Sequence, residues 1–177
     1  MIDLKNIKLL VLDVDGVLTD GKLFIGSDGE EYKGFHTQDG MGISLARYTG
    51  MKVAIITGRK SPAVEKRANE LKIDYIYQGI HDKLSVLHDI VSDLGITLDE
   101  VCYIGDDIND LPILQVVGYP AAPANAVAPV KAQVHYVAAA NGGEGAVREI
   151  LDRMLAEQYD YNSLLTDYLN GLVTITQ

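Results

Sequence analysis

The chain carries one cysteine, Cys102, in 177 residues. That excludes an intrachain disulfide framework and any zinc cluster built on cysteine. Its place inside the apolar run Val101–Gly105 marks it as core packing. Long apolar runs are missing as well: none approaches the roughly 18 residues that a membrane-spanning helix needs. The opening residues, Met1-Ile2-Asp3-Leu4-Lys5, lack the basic-then-apolar pattern of an export signal. Positive charge is in deficit, with 15 Lys+Arg against 25 Asp+Glu and a net charge of -10. This balance argues against nucleic acid or an anionic membrane as partner. An anionic substrate would have to find its cations within the site itself. The 4 histidines show no metal-ligand spacing; His36, His88 and His135 read as surface or packing residues, and His81 stands near Lys83. Internal repeats and low-complexity tracts are absent. Together these absences predict a cytoplasmic protein in a reducing compartment.

What is present is a globular composition, 47% hydrophobic, in a chain long enough for one domain with a sizeable core. Short β-rich runs alternate with longer helical ones. The strand candidates are Lys8–Leu12, Lys52–Thr57, Tyr75–Gln78, Val101–Gly105 and Val134–Val137. The helix candidates are Gly42–Tyr48, Pro62–Leu71, Lys83–Leu94, Asp110–Val116 and Gly145–Gln158. Alternation of this kind predicts an α/β fold: a Rossmann-like parallel sheet covered by helices on both faces. Ser61 before Pro62 reads as an N-cap and first helical residue, and Asp82 as the cap of the next helix. Gly21–His36 breaks the alternation. Two short runs flank Gly26-Ser27-Asp28-Gly29, which predicts a β-hairpin. Its Leu23, Phe24, Ile25, Tyr32 and Phe35 are too apolar for a free-standing ribbon, so it is expected to serve as a flap or an oligomer contact. One domain is expected over residues 1–158, followed by a tail, frayed or docked on a neighbour, over residues 159–177.

Four sites fall at expected strand ends or helix starts. Asp13-Val14-Asp15 follows the run Leu9–Leu12, and carboxylates at i and i+2 point to one side of a sheet. So close a pair repels unless a cation or a proton intervenes. Thr57-Gly58-Arg59 closes the second apolar run, where a hydroxyl and backbone N–H groups can hold phosphate oxygens; an ordinary strand-to-helix turn has the same form. Lys83 stands at a helix start, a position the helix dipole disfavours for a cation. Gly105-Asp106-Asp107-Ile108-Asn109-Asp110 sets three carboxylates behind a strand. Hard oxygen ligands of this type suit magnesium, and an acidic helix start without metal has the same look.

Taken in order, the four motifs resemble the haloacid dehalogenase superfamily of aspartate-nucleophile phosphotransferases over about residues 7–156. The resemblance implies that Asp13 is the nucleophile and Asp15 the general acid and base. Thr57 would bind the phosphoryl group, with Gly58 beside it, and Lys83 would neutralise charge. Asp13, the Asp15 backbone carbonyl and Asp106 would hold Mg2+, with Asp107 and Asp110 behind them. The gaps from Asp15 to Thr57 and from Thr57 to Lys83 leave no room for a cap domain. In the capless subfamily, hairpins build a homotetramer whose neighbours cover the site. Gln78-Gly79, Asp82-Lys83-Leu84 and Gly142–Glu149 look most like the 3-deoxy-D-manno-octulosonate 8-phosphate phosphatases of lipopolysaccharide sugar synthesis. In that setting Arg59 would meet the sugar acid's carboxylate or hydroxyls, and Gly142–Gly145 would be either a plain turn or a close backbone approach. Other implied readings are a phosphatase of a nonulosonate 9-phosphate and a non-catalytic subunit of a sugar nucleotidyltransferase system. A phosphate-accepting receiver-like domain is a further class, but it would lack the Asp-x-Asp loop.

Overall fold

The computed structural model describes residues 4–175. Eight strands and seven α-helices follow in chain order: β1 (Leu9–Leu12), β2 (Phe24–Ile25), β3 (Glu31–Tyr32), α1 (Thr37–Tyr48), β4 (Lys52–Thr57), α2 (Pro62–Glu70), β5 (Tyr75–Gln78), α3 (Lys83–Leu94), β6 (Val101–Ile104), α4 (Leu111–Leu114), β7 (Tyr119–Ala122), α5 (Ala128–Lys131), β8 (Tyr136–Val137), α6 (Ala146–Gln158) and α7 (Tyr161–Ile175). Six strands form one sheet in the order β5-β4-β1-β6-β7-β8. All its pairings are parallel. The chain winds outward from β1 to β5, then returns to β6 on the other side. The topological switch therefore lies between β1 and β6, where such sheets open a crevice at their carboxyl ends.

Both faces of the sheet are buried, so its strands are nearly all apolar. The pleat divides them. Leu10, Leu12, Val53, Ile55, Cys102 and Ile104 join a core that includes residues of α1, α2, α6 and α7. Leu9, Val11, Ala54, Ile56, Val101 and Tyr103 join the opposite core with residues of α3, α4 and α5. Cys102 is fully buried, and desolvation alone pushes its thiol far above the ordinary cysteine range, out of reach of thiolate chemistry.

Several elements differ from the sequence reading. The first helix starts at Thr37 rather than Gly42, with the His36 ring accepting from the Gln38 N–H at 3.3 Å. Gly40 and Gly42 lie inside it; a Cβ on Gly40 would come 2.5 Å from the flexible end of Arg67, and one on Gly42 would come 3.0 Å from Arg148 Cδ. Strand β7 is absent from the sequence reading; it contains Pro120, which removes a ladder donor. It is tolerated beside β8, which is only 2 residues long. The region read as a tail holds α7, whose Leu164 is buried in the core. The hairpin forms, as a separate 2-stranded sheet of β2 and β3. Among the described residues no cap domain interrupts the fold.

Candidate active site

The site forms where β1, β4 and β6 end and α3 begins. The chain after β1 curls around one carbonyl: Val14 O accepts from the N–H groups of Val17, Leu18 and Thr19 at 3.1, 2.9 and 3.1 Å. Val14, Val17 and Leu18 are buried beneath it, so the loop that carries Asp13 and Asp15 is anchored. Gly16 has φ +89, and a Cβ there would sit 1.9 Å from Asp106 Oδ2. Only glycine lets the loop approach Asp106 this closely. Gly142 presses on the same loop from outside; a Cβ on it would lie 1.9 Å from Gly16 O. Its N–H donates to Asn125 Oδ1 at 2.6 Å, and Asn125 Nδ2 donates to Gly16 O at 2.9 Å. The Gly142–Gly145 run is thus a close backbone approach rather than a plain turn.

Asp13, Thr57, Lys83 and Asp110 are all buried. Lys83 is the first residue of α3, whose cap is Asp82, accepting from the Ser85 N–H at 3.1 Å. Lys83 Nζ lies 3.2 Å from Asp13 Oδ1 and 2.7 Å from Asp110 Oδ1. Burial opposes its charge, but the two carboxylates outweigh burial and hold its pKa above the ordinary lysine range. Asp110 has its lone pairs occupied. Its Oδ1 also accepts from Tyr103 Oη at 2.6 Å, and its Oδ2 accepts from the N–H groups of Asp106 and Asp107 at 2.9 and 3.3 Å. Asp107 itself is exposed and caps the following 3-10 turn through the Ile108 N–H at 2.7 Å.

Carboxylate oxygens of Asp13, Asp106 and Asp110 lie within 4.8 Å of one another. Asp106 Oδ1 is buried and has no hydrogen-bond partner among the described residues. Desolvation and the neighbouring carboxylates push Asp106 up to about 7. Burial pushes Asp13 up to about 6, against the pull of Lys83 and with the push of Asp110. A bare buried oxygen and two strained carboxylates suit a hard divalent cation. With Asp110 committed to four donors, Asp13 and Asp106 are the side chains left to hold one.

A cavity of about 250 Å³ opens above these groups, lined by Asp13, Asp15, Thr57, Gly58, Arg59 and Asp106 among others. A similar cavity of about 280 Å³ lies at the other end of the strands, beside the amino ends of β1 and β4, between Ile7, Met51, Ile96 and Tyr159, away from these carboxylates. His81 is exposed and does not line the site cavity. The sequence reading missed several participants. Tyr103 is a lone phenol in an aliphatic strand, and a buried hydroxyl demands a partner; that was a usable signal. Asn125 gave no such signal. Neither did Glu31 and Lys33, which the hairpin lays over the site. Lys33 Nζ bonds to Asp15 Oδ1 and lies 2.8 Å from Glu31 Oε1. Arg59 Nη2 donates to Glu31 Oε2 at 2.6 Å.

A parallel sheet with an Asp-x-Asp loop, a strand-end threonine, a buried lysine and an acidic fourth site defines a class. The chain belongs to the haloacid dehalogenase-like hydrolases, whose family profile matches residues 75–151. Its relatives within that class are phosphoric monoester hydrolases. The 3-deoxy-D-manno-octulosonate 8-phosphate phosphatase of Yersinia pestis is 44% identical over 153 residues, 86% of this chain and 82% of that protein. A probable yrbi family phosphatase from Pseudomonas syringae pv. phaseolica 1448a superposes with a TM-score of 0.91 at 44% identity, covering 94% of both chains. The Moraxella catarrhalis octulosonate 8-phosphate phosphatase, solved with a magnesium ion, a phosphate ion and the sugar acid, gives 0.90 at 39% identity over 93% of this chain and 95% of that one.

Proposed function

We propose that this chain hydrolyses 3-deoxy-D-manno-octulosonate 8-phosphate to the free sugar acid and inorganic phosphate, in the cytoplasm, for lipopolysaccharide synthesis. One observation carries the reading: a buried lysine bridges Asp13 and Asp110 at the switch point of the sheet, beside the bare Asp106 oxygen. Relatives named for this substrate, 44% identical over most of the chain, support the choice of sugar.

The residues divide the work. Asp13 attacks phosphorus, the bond from phosphorus to the sugar oxygen breaks, and Asp15 gives its proton to the departing alkoxide. A water then attacks the aspartyl-phosphate while Asp15 takes its proton, which frees Asp13 and releases phosphate. Thr57 and the backbone N–H groups that follow it hold the phosphoryl oxygens, at the edge of the cavity they line. Lys83 neutralises the nucleophile's charge. Magnesium held by Asp13, Asp106 and the Asp15 carbonyl would offset the charge of the carboxylates and the transferring group. Arg59, which is half-exposed in the cavity mouth, meets the sugar acid's carboxylate. Leu23, Phe24, Ile25 and Tyr32 of the hairpin are exposed apolar side chains, which supports a homotetramer in which neighbours wall the open site.

The test is magnesium-dependent phosphate release from the octulosonate 8-phosphate beside a nonulosonate 9-phosphate. Preference for the first is expected, together with a loss of about 10³-fold or more in Asp13→Asn. Full activity in that variant would refute the mechanism, and preference for the longer sugar would reassign the substrate with the same machinery.

A further inference from the structure

Alternation through β3 and the residue after it sends Glu31 and Lys33 to one side and Tyr32 to the other. Tyr32 is exposed, while the Lys33 side chain is only 1% exposed. Lysines on a surface ribbon ordinarily carry their charge into water. This one turns inward and bonds to Asp15 Oδ1. Its second partner is Glu31 Oε1 at 2.8 Å; Glu31 Oε2 takes Arg59 at 2.6 Å, and Arg59 Nε lies 3.9 Å from Asp15 Oδ2. Four charges of alternating sign close a ring: Asp15, Lys33, Glu31, Arg59. The ring pairs each site residue with a hairpin residue and keeps Asp15 and Arg59 from pairing closely with each other. Removing the Lys33 charge leaves Arg59 as the nearest cation to Asp15. The two would then collapse together, drawing the carboxyl away from the leaving oxygen.

We propose that Lys33 is a positioning residue of the hydrolysis: it fixes the Asp15 carboxyl for proton transfer. The proposal rests on the reading of Asp15 as general acid and base. A buried ammonium is costly unless well paired, so Lys33 is bound to its two carboxylates rather than resting there. Packing of the strands offers no other reason for the inward turn, because Leu23, Phe24, Ile25 and Tyr32 are exposed, and Phe35, beyond the strands, is the apolar residue of the hairpin that packs on the core.

The experiment compares Lys33→Met, Lys33→Arg, Asp15→Asn and the Asp15→Asn/Lys33→Met double variant. Each is assayed with the sugar-acid phosphate and, in the pre-steady state, with p-nitrophenyl phosphate, whose leaving group needs no proton. General acid–base catalysis contributes roughly 10²–10⁴-fold, so Lys33→Met should lower kcat for the sugar phosphate by about 10-fold to 100-fold. The nitrophenolate burst should stay near the wild-type rate, and Lys33→Arg should recover part of kcat. The double variant should fall no further than Asp15→Asn alone, the signature of two residues acting as one unit. Equal losses on both substrates, additive losses in the double variant, or wild-type kcat in Lys33→Met would overturn the role of Lys33. Wild-type activity in Asp15→Asn would instead overturn the reading of Asp15.

Discussion

Asp13 and Asp106 carry opposed demands. In the proposed mechanism their carboxylates must be ionised, yet burial and mutual repulsion push them up to about 6 and about 7 from an ordinary 3.8. A carboxyl with a raised pKa keeps its proton in the fold after the unfolded chain has lost it. The folded state then binds more protons across that window, so its stability falls as pH rises from about 4 to about 7. Metal-free protein should therefore melt lower at about pH 8 than at about pH 5. Magnesium should restore most of the difference at the higher pH and little at the lower, where protons compete for the same oxygens. Calorimetry with and without the ion checks this. Asp106→Asn should flatten the slope, and an unchanged slope would show that these carboxyls do not set it. The residues that titrate here were legible in the sequence because each closes an apolar strand. Lys33 was not, since it meets Asp15 from 18 positions away and looks in sequence like any surface charge.

At the scale of elements, periodicity and caps predicted what local physics controls. The bounds of β4, β5 and α3 agree with the reading residue for residue. Disagreement begins where tertiary contacts decide. Pro120 argues locally against β7, and Gly40 argues against the turn of α1 that precedes the expected start at Gly42, although the close approach of Arg67 from α2 suits a small residue there. The hairpin lies between these cases. Its turn was readable, but its strands are only 2 residues each, too short to stand alone in water. It is held by Phe35 against the core and by the ion ring over the site. Its outer face is left apolar, with Phe24 55% and Ile25 62% exposed. Charges placed there, as in Phe24→Asp/Ile25→Asp, should turn the proposed homotetramer into monomers by sedimentation. If neighbours wall the site, kcat/KM should fall by about tenfold, a loss of ~1.4 kcal/mol of transition-state stabilisation. A monomer with full activity would show that one chain is a sufficient site.

The whole molecule places its chemistry by topology. Winding outward from β1 and back through β6 sets the Asp-x-Asp loop beside Asp106, though the two are some 90 positions apart in sequence, and the two helical layers bury both faces of the sheet between them. Helix α7 completes one layer. A helix of 15 residues is marginal by itself, so its order comes from packing. Leu164 is buried, Leu165 and Tyr168 rest on the same core, and the Tyr48 and Tyr168 rings meet edge to face at 5.3 Å. Tyr161 donates to Asp152 Oδ1 at 2.6 Å, tying the start of α7 to α6. Among the described residues, none of α7 lines the site cavity. Leu164→Ala should therefore act on stability alone. A buried leucine truncated to alanine costs about 2–5 kcal/mol, and the lower end fits a side chain at the margin of the core. For a chain of this size, each kcal/mol lowers Tm by about 2–4 °C. A drop of roughly 4–8 °C with unchanged kcat and KM at 25 °C is the expected result. A variant that melts with the wild type but turns over differently would place α7 at a neighbour's site instead of in its own core.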